Sequence, residues 1–256
     1  MQKKKVILII GGHDPTGGAG ITADIETANY FNYHPLSILT CSTIQDTSGV
    51  IKINNMPKDY IYKCFDKLIK EFKVNVIKIG LIPSLAASKE ILRILSNKKI
   101  KNVPIIVDPI IKSGSGTELI TKTNLNYVIK NIYPKSTLLT PNIYEYNLIE
   151  KLFNRDNNIN NILVTNYSIK NNEIILSLKI KNYPKEKIFS IKKFEKKYHG
   201  TGCTFSTAIA CNISKNISIE KSIKISLSYM KKSIIDSSID GKKQSFLSRN
   251  ILWKVY

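Results

Sequence analysis

Short apolar runs alternate along the chain with longer segments in which apolar residues recur at helical spacing. The first run, Val6–Ile10, leads into a glycine-rich stretch, Gly11–Gly20, and then into a helical pattern that ends at His34-Pro35. A continuous apolar run that ends in glycines is typical of a buried parallel strand followed by a loop. A proline disfavours the helical conformation of the residue that precedes it. The start of the chain therefore predicts a strand, a glycine loop and a helix.

The same alternation continues and predicts a sheet flanked by helices. Further strands are predicted at Leu36–Cys41, Val74–Ile79, Ile105–Val107, Thr137–Leu139, Ile162–Thr165, and in a hairpin of Glu173–Ile180 with Lys187–Ile191. Further helices are predicted at Pro57–Glu71, Ser84–Ser96, Thr204–Lys215 and Ile219–Ser237. This order is typical of an α/β fold with a doubly wound, mostly parallel sheet and helices on both faces. We expect one domain over residues 1–256, with ligands beyond the carboxyl ends of the strands.

Composition and charge exclude only a few classes of function. The 256 residues, 43% hydrophobic and 23% charged, have the composition of an ordinary soluble globular protein. The net charge of +20 would favour nucleic acid, but 36 of the 39 basic residues are lysines spread along the chain, whereas nucleic-acid surfaces favour the planar arginine fork. We therefore expect no nucleic-acid partner. We also expect no membrane association, since no apolar run approaches about 20 residues. Four cysteines without a C-x-x-C pair fit the reducing cytoplasm.

The glycine-rich stretch Gly11–Gly20 is the first candidate binding segment. It holds five glycines in ten residues, which lets the backbone approach a ligand closely. Its spacing matches neither G-x-G-x-x-G nor the G-x-x-x-x-G-K-[ST] phosphate loop. Asp24 lies one turn into the following helix and is either a solvated helix residue or a hydrogen-bond acceptor for a ligand.

The segment His199–Thr204 is the second candidate. A Gly-Thr-Gly turn at a helix start directs unpaired N–H groups and the positive end of the helix towards one point, which makes an anion site. Cys203 lies at this terminus, where we expect its thiolate to be stabilised, so that it can act as a base or nucleophile near neutral pH.

Taken in order, the motifs of the chain resemble those of the hydroxymethylpyrimidine/phosphomethylpyrimidine kinases, which belong to the ribokinase-like superfamily. The motifs are Gly11–Gly20, Lys78-Ile79-Gly80, Val107-Asp108-Pro109, Thr140-Pro141-Asn142-Ile143-Tyr144-Glu145 and Gly200–Thr204. The resemblance implies a ribokinase-like fold and ATP-dependent phosphorylation, with Mg²⁺, of the hydroxymethyl group of a pyrimidine. It implies a second phosphorylation, of the monophosphate to the diphosphate used in thiamine biosynthesis. It also implies a homodimer.

The resemblance assigns roles to particular residues. The pyrimidine pocket is matched by Gly12, Ala19, Asp24 and Gln45, with Leu81 and Ile110 as apolar walls. Asn142 and Glu145 match an N-x-x-E element that acts near the magnesium ion and the phosphates, with Glu145 acting on the metal indirectly, and Asp108 and Thr165 lie on the same nucleotide side. Gly200, Thr201 and Gly202 would form an anion hole for the transferred phosphoryl group. Cys203 stands where most ribokinase-like enzymes place an aspartate base.

One departure and two alternatives accompany this resemblance. Thr165-Asn166-Tyr167 stands where the family usually has Lys-Gly-Gly, which removes a lysine expected near the ATP phosphates. Pyridoxal or pyridoxine kinase is one alternative, because both substrates are flat heteroaromatic rings bearing a primary alcohol. Gln45 favours the aminopyrimidine, whose exocyclic amine offers it a donor. The other alternative is a binding protein that has lost its phosphate site and its activity.

Overall fold

The computed structural model describes residues 4–114, 116–152 and 159–250. Its strands are β1 (Lys5–His13), β2 (Tyr33–Asp46), β3 (Gly49–Asn55), β4 (Val76–Ile79), β5 (Ile105–Val107), β6 (Leu138–Leu139), β7 (Asn161–Lys170), β8 (Glu173–Ile180), β9 (Tyr183–Lys192), β10 (Tyr198–His199), β11 (Ile239–Asp240) and β12 (Ser245–Phe246). Its α-helices are α1 (Gly20–Tyr30), α2 (Tyr60–Glu71), α3 (Leu85–Leu95), α4 (Lys122–Asn131), α5 (Ile143–Leu152), α6 (Thr201–Ile213) and α7 (Ile219–Ile235).

Within the described ranges, nine strands form one sheet in the order β3-β2-β1-β4-β5-β6-β7-β8-β9. The pairs from β2 through β1, β4, β5 and β6 to β7 are parallel, whereas β3 on one side and β8 and β9 on the other run antiparallel to their neighbours. The strands β10, β12 and β11 form a separate small sheet. The predicted mostly parallel sheet is confirmed.

The helices lie on both faces of the sheet because β1 is apolar on both sides. Leu8 and Ile10 pack into a core with α2, α3, α4 and α5. Ile7 and Ile9 pack into a second core with α1, α6 and α7. Successive side chains of a strand point to opposite faces, so an uninterrupted apolar run indicates a strand covered on both sides. The predicted doubly wound α/β fold is confirmed.

Several element boundaries differ from the sequence-based predictions. β1 continues through Gly11 and Gly12 to His13, because these residues stay paired with β2, so the glycine loop begins only at Asp14. β2 extends to Asp46 and turns back into β3, an antiparallel strand that was not predicted. Helices α4 and α5 were also missed. Helix α6 begins at Thr201 rather than Thr204, so the Gly-Thr-Gly segment belongs to its first turn.

None of the described helices has the length and apolar character that crossing a membrane requires.

Candidate active site

An open cleft of about 600 Å³ lies beyond the carboxyl ends of the central parallel strands. The residues after β1, β4, β5 and β6, together with the first turn of α6, form its walls. Every residue to which the sequence analysis gave a role lines this cleft: Gly12, Ala19, Asp24, Gln45, Leu81, Asp108, Ile110, Asn142, Glu145, Thr165, Gly200, Thr201, Gly202 and Cys203. The structure thus brings the residues together, and their individual roles stay predictions.

The glycine loop is folded around the carboxylate of Asp14. Its Oδ1 accepts hydrogen bonds from the backbone N–H and the hydroxyl of Thr16, at 2.9 and 2.8 Å, and its Oδ2 accepts from the Ala19 N–H at 3.0 Å. Nε2 of His199 lies 2.6 Å from the same Oδ2. Burial alone would raise the pKa of Asp14, but the hydrogen bonds from His199, Thr16 and Gln45 outweigh it and hold the pKa well below its usual range.

The side chain of Gln45 interacts with Asp14, and this interaction favours one orientation of the Gln45 amide. The ionised carboxylate of Asp14 can only accept hydrogen bonds. Gln45 lowers the pKa of Asp14, which is the direction expected when the amide NH₂ group of Gln45 faces that carboxylate. The amide oxygen of Gln45 is then the atom that can accept a hydrogen bond from a ligand in the cleft.

The buried ammonium group of a lysine lies between two carboxylates at the base of the cleft. Nζ of Lys78, on β4, is 2.8 Å from Oδ2 of Asp24 and 3.9 Å from Oδ2 of Asp108. Thr207 donates to Asp24 at 2.7 Å and Ser206 to Asp108 at 3.3 Å, both from α6. Desolvation would lower the pKa of Lys78, but the charge of Asp24 and the other neighbouring anionic groups outweighs it and raises the pKa above its usual value. Lys78 is therefore charged.

Asp24 has a structural role that the sequence did not reveal. Each of its two carboxylate oxygens accepts from a protein donor, Lys78 or Thr207, and the residue is 1% exposed. The sequence left open whether Asp24 is a solvated helix residue or a hydrogen-bond acceptor, and its burial excludes the solvated alternative. The assignment of Asp24 to direct pyrimidine binding stays a prediction.

The N-terminus of α6 opens into the cleft beside Asp108. Gly200 caps the helix with φ +73°, and a side chain there would collide with the carbonyl oxygen of Gly18. The first intrahelical bond runs from the Thr204 N–H to the Gly200 carbonyl at 3.0 Å. The N–H groups of residues 201–203 precede it and are the ones that a helix start offers to an anion. A Cβ added to Gly202 would lie 3.5 Å from Oδ2 of Asp108.

The expectation that the helix terminus stabilises the Cys203 thiolate is wrong for this structure. The residue is buried, and desolvation raises its pKa to about 12, helped by the negative charges of Asp24 and Asp108. Lys78 and a hydrogen bond from the Gly20 backbone act in the opposite direction but are too weak to reverse the shift. Two nearby carboxylates and the loss of water thus outweigh the helix terminus, and Cys203 is a neutral thiol at pH 7.

Asn142 and Glu145 form a reciprocal cap at the start of α5. The Asn142 side chain accepts from the Glu145 N–H, and Oε2 of Glu145 accepts from the Asn142 N–H, both at 2.9 Å. Oε1 of Glu145 accepts from the Ile111 N–H at 3.3 Å. Desolvation and the nearby charge of Asp108 raise the pKa of Glu145 to about 8. Thr165 joins this corner through its N–H, which donates to the Pro141 carbonyl at 2.7 Å.

The carboxylates of Asp108 and Glu145 suit a magnesium ion. Magnesium prefers oxygen ligands and is usually held by one or two carboxylates together with water and substrate phosphates. Desolvation and, after it, the negative charge of Asp108 raise the pKa of Glu145, and a divalent cation would relieve the repulsion between the two carboxylates. Across the described parts of the chain no group of three or more His, Cys, Asp or Glu side chains is placed to hold a metal. The donors present therefore fit an ion that phosphate oxygens also coordinate.

Leu81 and Ile110 contribute apolar side chains to the lining of the cleft, and their role as walls of a pyrimidine pocket stays a prediction. Leu81 is buried against Cys41 and Leu119, and Ile110 packs against the same cluster. A Cβ added to Gly12 would lie 3.0 Å from the sulfur of Cys41 and 3.2 Å from Cδ2 of Leu81. Gly12 thus lets this wall approach strand β1 closely.

Asp14, Lys78, His199 and Arg249 make contacts in or beside the site but received no role from the sequence. Asp14, Lys78 and His199 lay within recognised motifs, and their pairing across the fold was not visible. The fourth, Arg249, was missed entirely. Its signal was present in the composition, since it is one of only three arginines in a chain with 36 lysines. An arginine in such a chain points to a place where the guanidinium fork is required.

Solved structures with a similar fold define the class of protein. The chain matches pyridoxal kinase from Staphylococcus aureus in complex with AMP-PCP and pyridoxal with a TM-score of 0.84 and 18% identity, over 99% of this chain and 96% of that one. The ADP complex of Bacillus subtilis pyridoxal kinase matches with a TM-score of 0.82 and 18% identity, over 98% and 99%. At this identity the likeness shows the fold alone, which is ribokinase-like.

Sequence comparison narrows this class to one family. The model of the phosphomethylpyrimidine kinase family matches residues 14–247. The phosphomethylpyrimidine kinase from Clostridium difficile matches in structure with a TM-score of 0.73 and 26% identity, over 90% of this chain and 100% of that one. The chain therefore belongs to the phosphomethylpyrimidine kinase family.

Three curated relatives differ in how much of their own length the chain covers. A bifunctional thiamine biosynthesis protein of Methanocaldococcus jannaschii is 32% identical over 94% of this chain and 55% of its own length. A hydroxymethylpyrimidine/phosphomethylpyrimidine kinase of Saccharomyces cerevisiae is 28% identical over 91% and 46%. One from Aquifex aeolicus is 26% identical over 93% and 97%. The chain thus spans about half the length of the first two and nearly all of the third.

Proposed function

We propose that this protein phosphorylates 4-amino-5-hydroxymethyl-2-methylpyrimidine with ATP, and then phosphorylates the monophosphate to the diphosphate, in thiamine biosynthesis. The observation that carries the proposal is the meeting of the glycine loop and the α6 N-terminus in one cleft, where Asp14 and His199 join them. An aromatic ring can lie in the loop while its alcohol faces the anion-binding turn. The family membership and the curated relatives support the same reaction.

Gln45 supports an aminopyrimidine as the ring that binds. Its NH₂ group is engaged by Asp14, so its amide oxygen can accept a hydrogen bond from an exocyclic amine. Pyridoxine has no such amine, and the pyridoxal kinases resemble this chain in fold alone. Leu81 and Ile110 would cover the apolar face of the ring.

The nucleotide would lie towards α7 and the edge strands. Apolar residues line this end of the cleft and suit the flat adenine base: Leu176, Phe205, Leu227, Met230 and Ile234. Lysines 192, 193, 196 and 197 line the same cleft. Their charge would take the place of the lysine that is absent at Thr165-Asn166-Tyr167. Phosphates would then reach the N–H groups of residues 201–203, because a helix start binds anions.

Chemistry in this site would depend on positioning and charge neutralisation. Asp108 and Glu145 would hold a magnesium ion, directly or through water, and the ion would neutralise phosphate charge. The N–H groups of residues 201–203 would hold the transferred phosphoryl group. The thiolate of Cys203, a minor form at neutral pH because burial raises the pKa of the thiol, would take the proton from the substrate alcohol. The second step needs no such base, since a phosphate monoester with a second pKa of about 6 is largely deprotonated at neutral pH.

The test is a comparison of kcat/KM for hydroxymethylpyrimidine and pyridoxine with MgATP, with products followed by mass spectrometry. We expect mono- and then diphosphate from the pyrimidine, and a preference for it over pyridoxine. Gln45→Ala should reduce kcat/KM for the pyrimidine about tenfold and leave pyridoxine turnover nearly unchanged, by the loss of one hydrogen bond. Gln244→Ala, at another position of the cleft lining, is the matched control. A wild-type preference for pyridoxine, or no turnover of either, would overturn the proposal.

We further propose that residues 1–256 act as one kinase domain in a cytoplasmic homodimer. The cleft takes residues from Gly11 to Gln244, which supports one catalytic unit. All four cysteines are free thiols, which suits a reducing compartment. The edge strand β3 exposes 82% of Ile51, and an unpaired apolar edge is suited to pairing with a second copy. Sedimentation of the wild type and of Ile51→Lys tests the dimer, which the variant should weaken.

A further inference from the structure

The C-terminal segment that ends at Arg249 crosses the back of the site. Ser245–Phe246 forms strand β12 beside β10, and Leu247 is buried in the core that contains α6 and α7. The Ser248 N–H donates to the Ser233 carbonyl at 3.0 Å, and the Tyr229 hydroxyl donates to the Arg249 carbonyl at 3.2 Å. Helix α7 thus holds the backbone of this segment in place, and Arg249 lies beyond the 14–247 range that the family model matches.

The guanidinium of Arg249 binds both halves of the proposed site at once. Its Nε donates to the Thr204 hydroxyl at 2.8 Å, in the first turn of α6. Its Nη1 donates to the Gly17 carbonyl at 3.3 Å, and its Nη2 donates to the Gly18 carbonyl. Nη1 also lies 3.0 Å from Oε2 of Glu26. Three nitrogens therefore serve the glycine loop, helix α1 and the phosphoryl-binding turn.

These contacts are ones that lysine cannot reproduce. Arg249 is 4% exposed, and its donors diverge from one rigid plane towards acceptors on three segments. A lysine presents one ammonium at the end of a flexible chain and would reach only part of this set. The absence of a side chain at Gly200 also makes room for the fork, since a Cβ there would lie 2.8 Å from Nη2.

We propose that Arg249 is a positioning residue that sets the distance between the ring-binding glycine loop and the phosphoryl-binding turn of α6. The proposal rests on the proposed function, in which the substrate alcohol must approach the turn within bonding distance. A misplacement of about 1 Å between reacting groups can cost about 10²-fold in rate. Arg249 touches neither substrate in this arrangement and acts through Gly17, Gly18 and Thr204.

The test compares Arg249→Lys and Arg249→Ala with Arg93→Lys. Arg93 lies on α3, stacks on Tyr62 at 3.6 Å and is not among the residues that line the cleft, so its variant controls for the loss of a guanidinium. We expect Arg249→Lys to fold and to lose about 10²-fold in kcat with a much smaller change in KM for ATP. Millimolar guanidinium should restore part of the kcat of Arg249→Ala and none of that of Arg93→Lys. Glu26→Gln, which leaves the loop contacts intact, should retain most activity.

A second measurement does not depend on turnover. Hydrogen exchange of the amides in residues 17–20 and 200–204 should accelerate in both Arg249 variants, and exchange in α3 should not. Wild-type kcat in a folded Arg249 variant would overturn the inference. So would a loss that follows the melting temperature alone, with no guanidinium rescue and unchanged exchange. An inactive wild type would overturn the proposed function instead, and the exchange data would still decide the positioning role.

Discussion

The ammonium of Lys78 lies 2.8 Å from the carboxylate of Asp24, and both side chains are almost completely buried under the cleft. The two residues come from different elements, β4 and α1, and join the strand that ends at the cleft to the helix that follows the glycine loop. Asp108 lies 3.9 Å from the same ammonium. The floor of the site is therefore a small charge network whose side chains are at most 7% exposed.

Removal of the cation from this network should be costly. Lys78→Met leaves Asp24 and Asp108 buried without their counter-ion, and we expect a loss of about 3–5 kcal/mol in the free energy of unfolding. The double variant Lys78→Met/Asp24→Asn should recover part of that loss. Urea denaturation of Lys78→Met, Asp24→Asn and the double variant measures the coupling between Lys78 and Asp24.

The exposed pair of Lys70 and Asp66, at 2.6 Å on α2, provides the matched control. Lys70→Met should change the free energy of unfolding by less than about 1 kcal/mol, because an exposed ion pair is screened by solvent. Equal effects of Lys78→Met and Lys70→Met would show that the buried network contributes no more to the free energy of unfolding than an exposed ion pair.

Glu145 should make stability depend on pH. Its pKa is raised to about 8 in the folded protein from an ordinary value of 4.5, so between these values the folded state binds more protons than the unfolded state. The contribution of this group to the free energy of unfolding is present below about pH 4.5 and decreases as the pH rises towards 8. The decrease can reach about 1.4 kcal/mol per pH unit.

Glu145→Gln should remove this dependence while it keeps the shape of the side chain. Unfolding by urea between pH 5 and pH 9, with EDTA present, should show a shallower fall in stability for the variant. The two proteins should be most alike at the acid end of the range, where Glu145 is neutral. Parallel curves for wild type and variant would mean that Glu145 ionises normally.

The two glycines of the α6 turn should differ in what they contribute. Gly202→Ala places a methyl group in ordinary contact with Asp108, and alanine favours helix by about 0.5–1 kcal/mol over glycine. We expect no loss of stability, but a loss of about tenfold or more in kcat, because the methyl group enters the space between Asp108 and the phosphoryl-binding turn. Gly200→Ala should instead destabilise the fold, since its side chain meets the Gly18 carbonyl.

Gly116 is the control for backbone strain in this pair. It has φ +95° and no heavy atom within 4 Å of an added Cβ. Gly116→Ala therefore measures the effect of a positive φ alone, and thermal melting of the three alanine variants separates strain from collision. Similar losses for Gly116→Ala and Gly200→Ala would show that contact with Gly18 is unimportant.

The sequence predicted the sheet and the location of the cleft because both depend on local patterns. Val6–Ile10 and Ile105–Val107 are apolar on both faces, and the glycine and Asp-Pro segments that follow them fall at the carboxyl ends of parallel strands. The antiparallel strand β3 was missed because none of its residues is buried and its apolar residues, Val50, Ile51 and Ile53, do not alternate strictly with polar ones. Its pairing with β2 depends on the fold rather than on its own residues.

The electrostatics of the site could not be predicted in the same way. His199 and Asp14 are 185 residues apart in the chain, and Arg249 and Gly18 are 231 apart. The helix start at Gly200 suggested a stabilised thiolate at Cys203, because it is the only contribution to the pKa of this thiol that the local sequence reveals. The opposite result comes from burial and from Asp24 and Asp108, whose proximity only the folded chain creates.

The role of Cys203 can be decided by separating the two phosphorylations. If its thiolate takes the proton of the substrate alcohol, Cys203→Ala should lower the first step by about 10²–10⁴, the usual effect of losing a general base. The second step should suffer less, because its phosphate acceptor is already deprotonated at neutral pH. Since the pKa of the thiol is raised to about 12, the first step should also accelerate as the pH rises above neutrality.

Cys203→Asp distinguishes proton transfer from a purely structural role. A carboxylate in this position is ionised at neutral pH unless its pKa rises by several units, so the variant should recover part of the first step and flatten its pH profile. Rates of mono- and diphosphate formation from pH 6 to pH 10 measure both effects. Equal losses in the two steps for Cys203→Ala, with no recovery in Cys203→Asp, would limit Cys203 to shaping the turn that holds the phosphoryl group, because a base is needed only where a proton must leave.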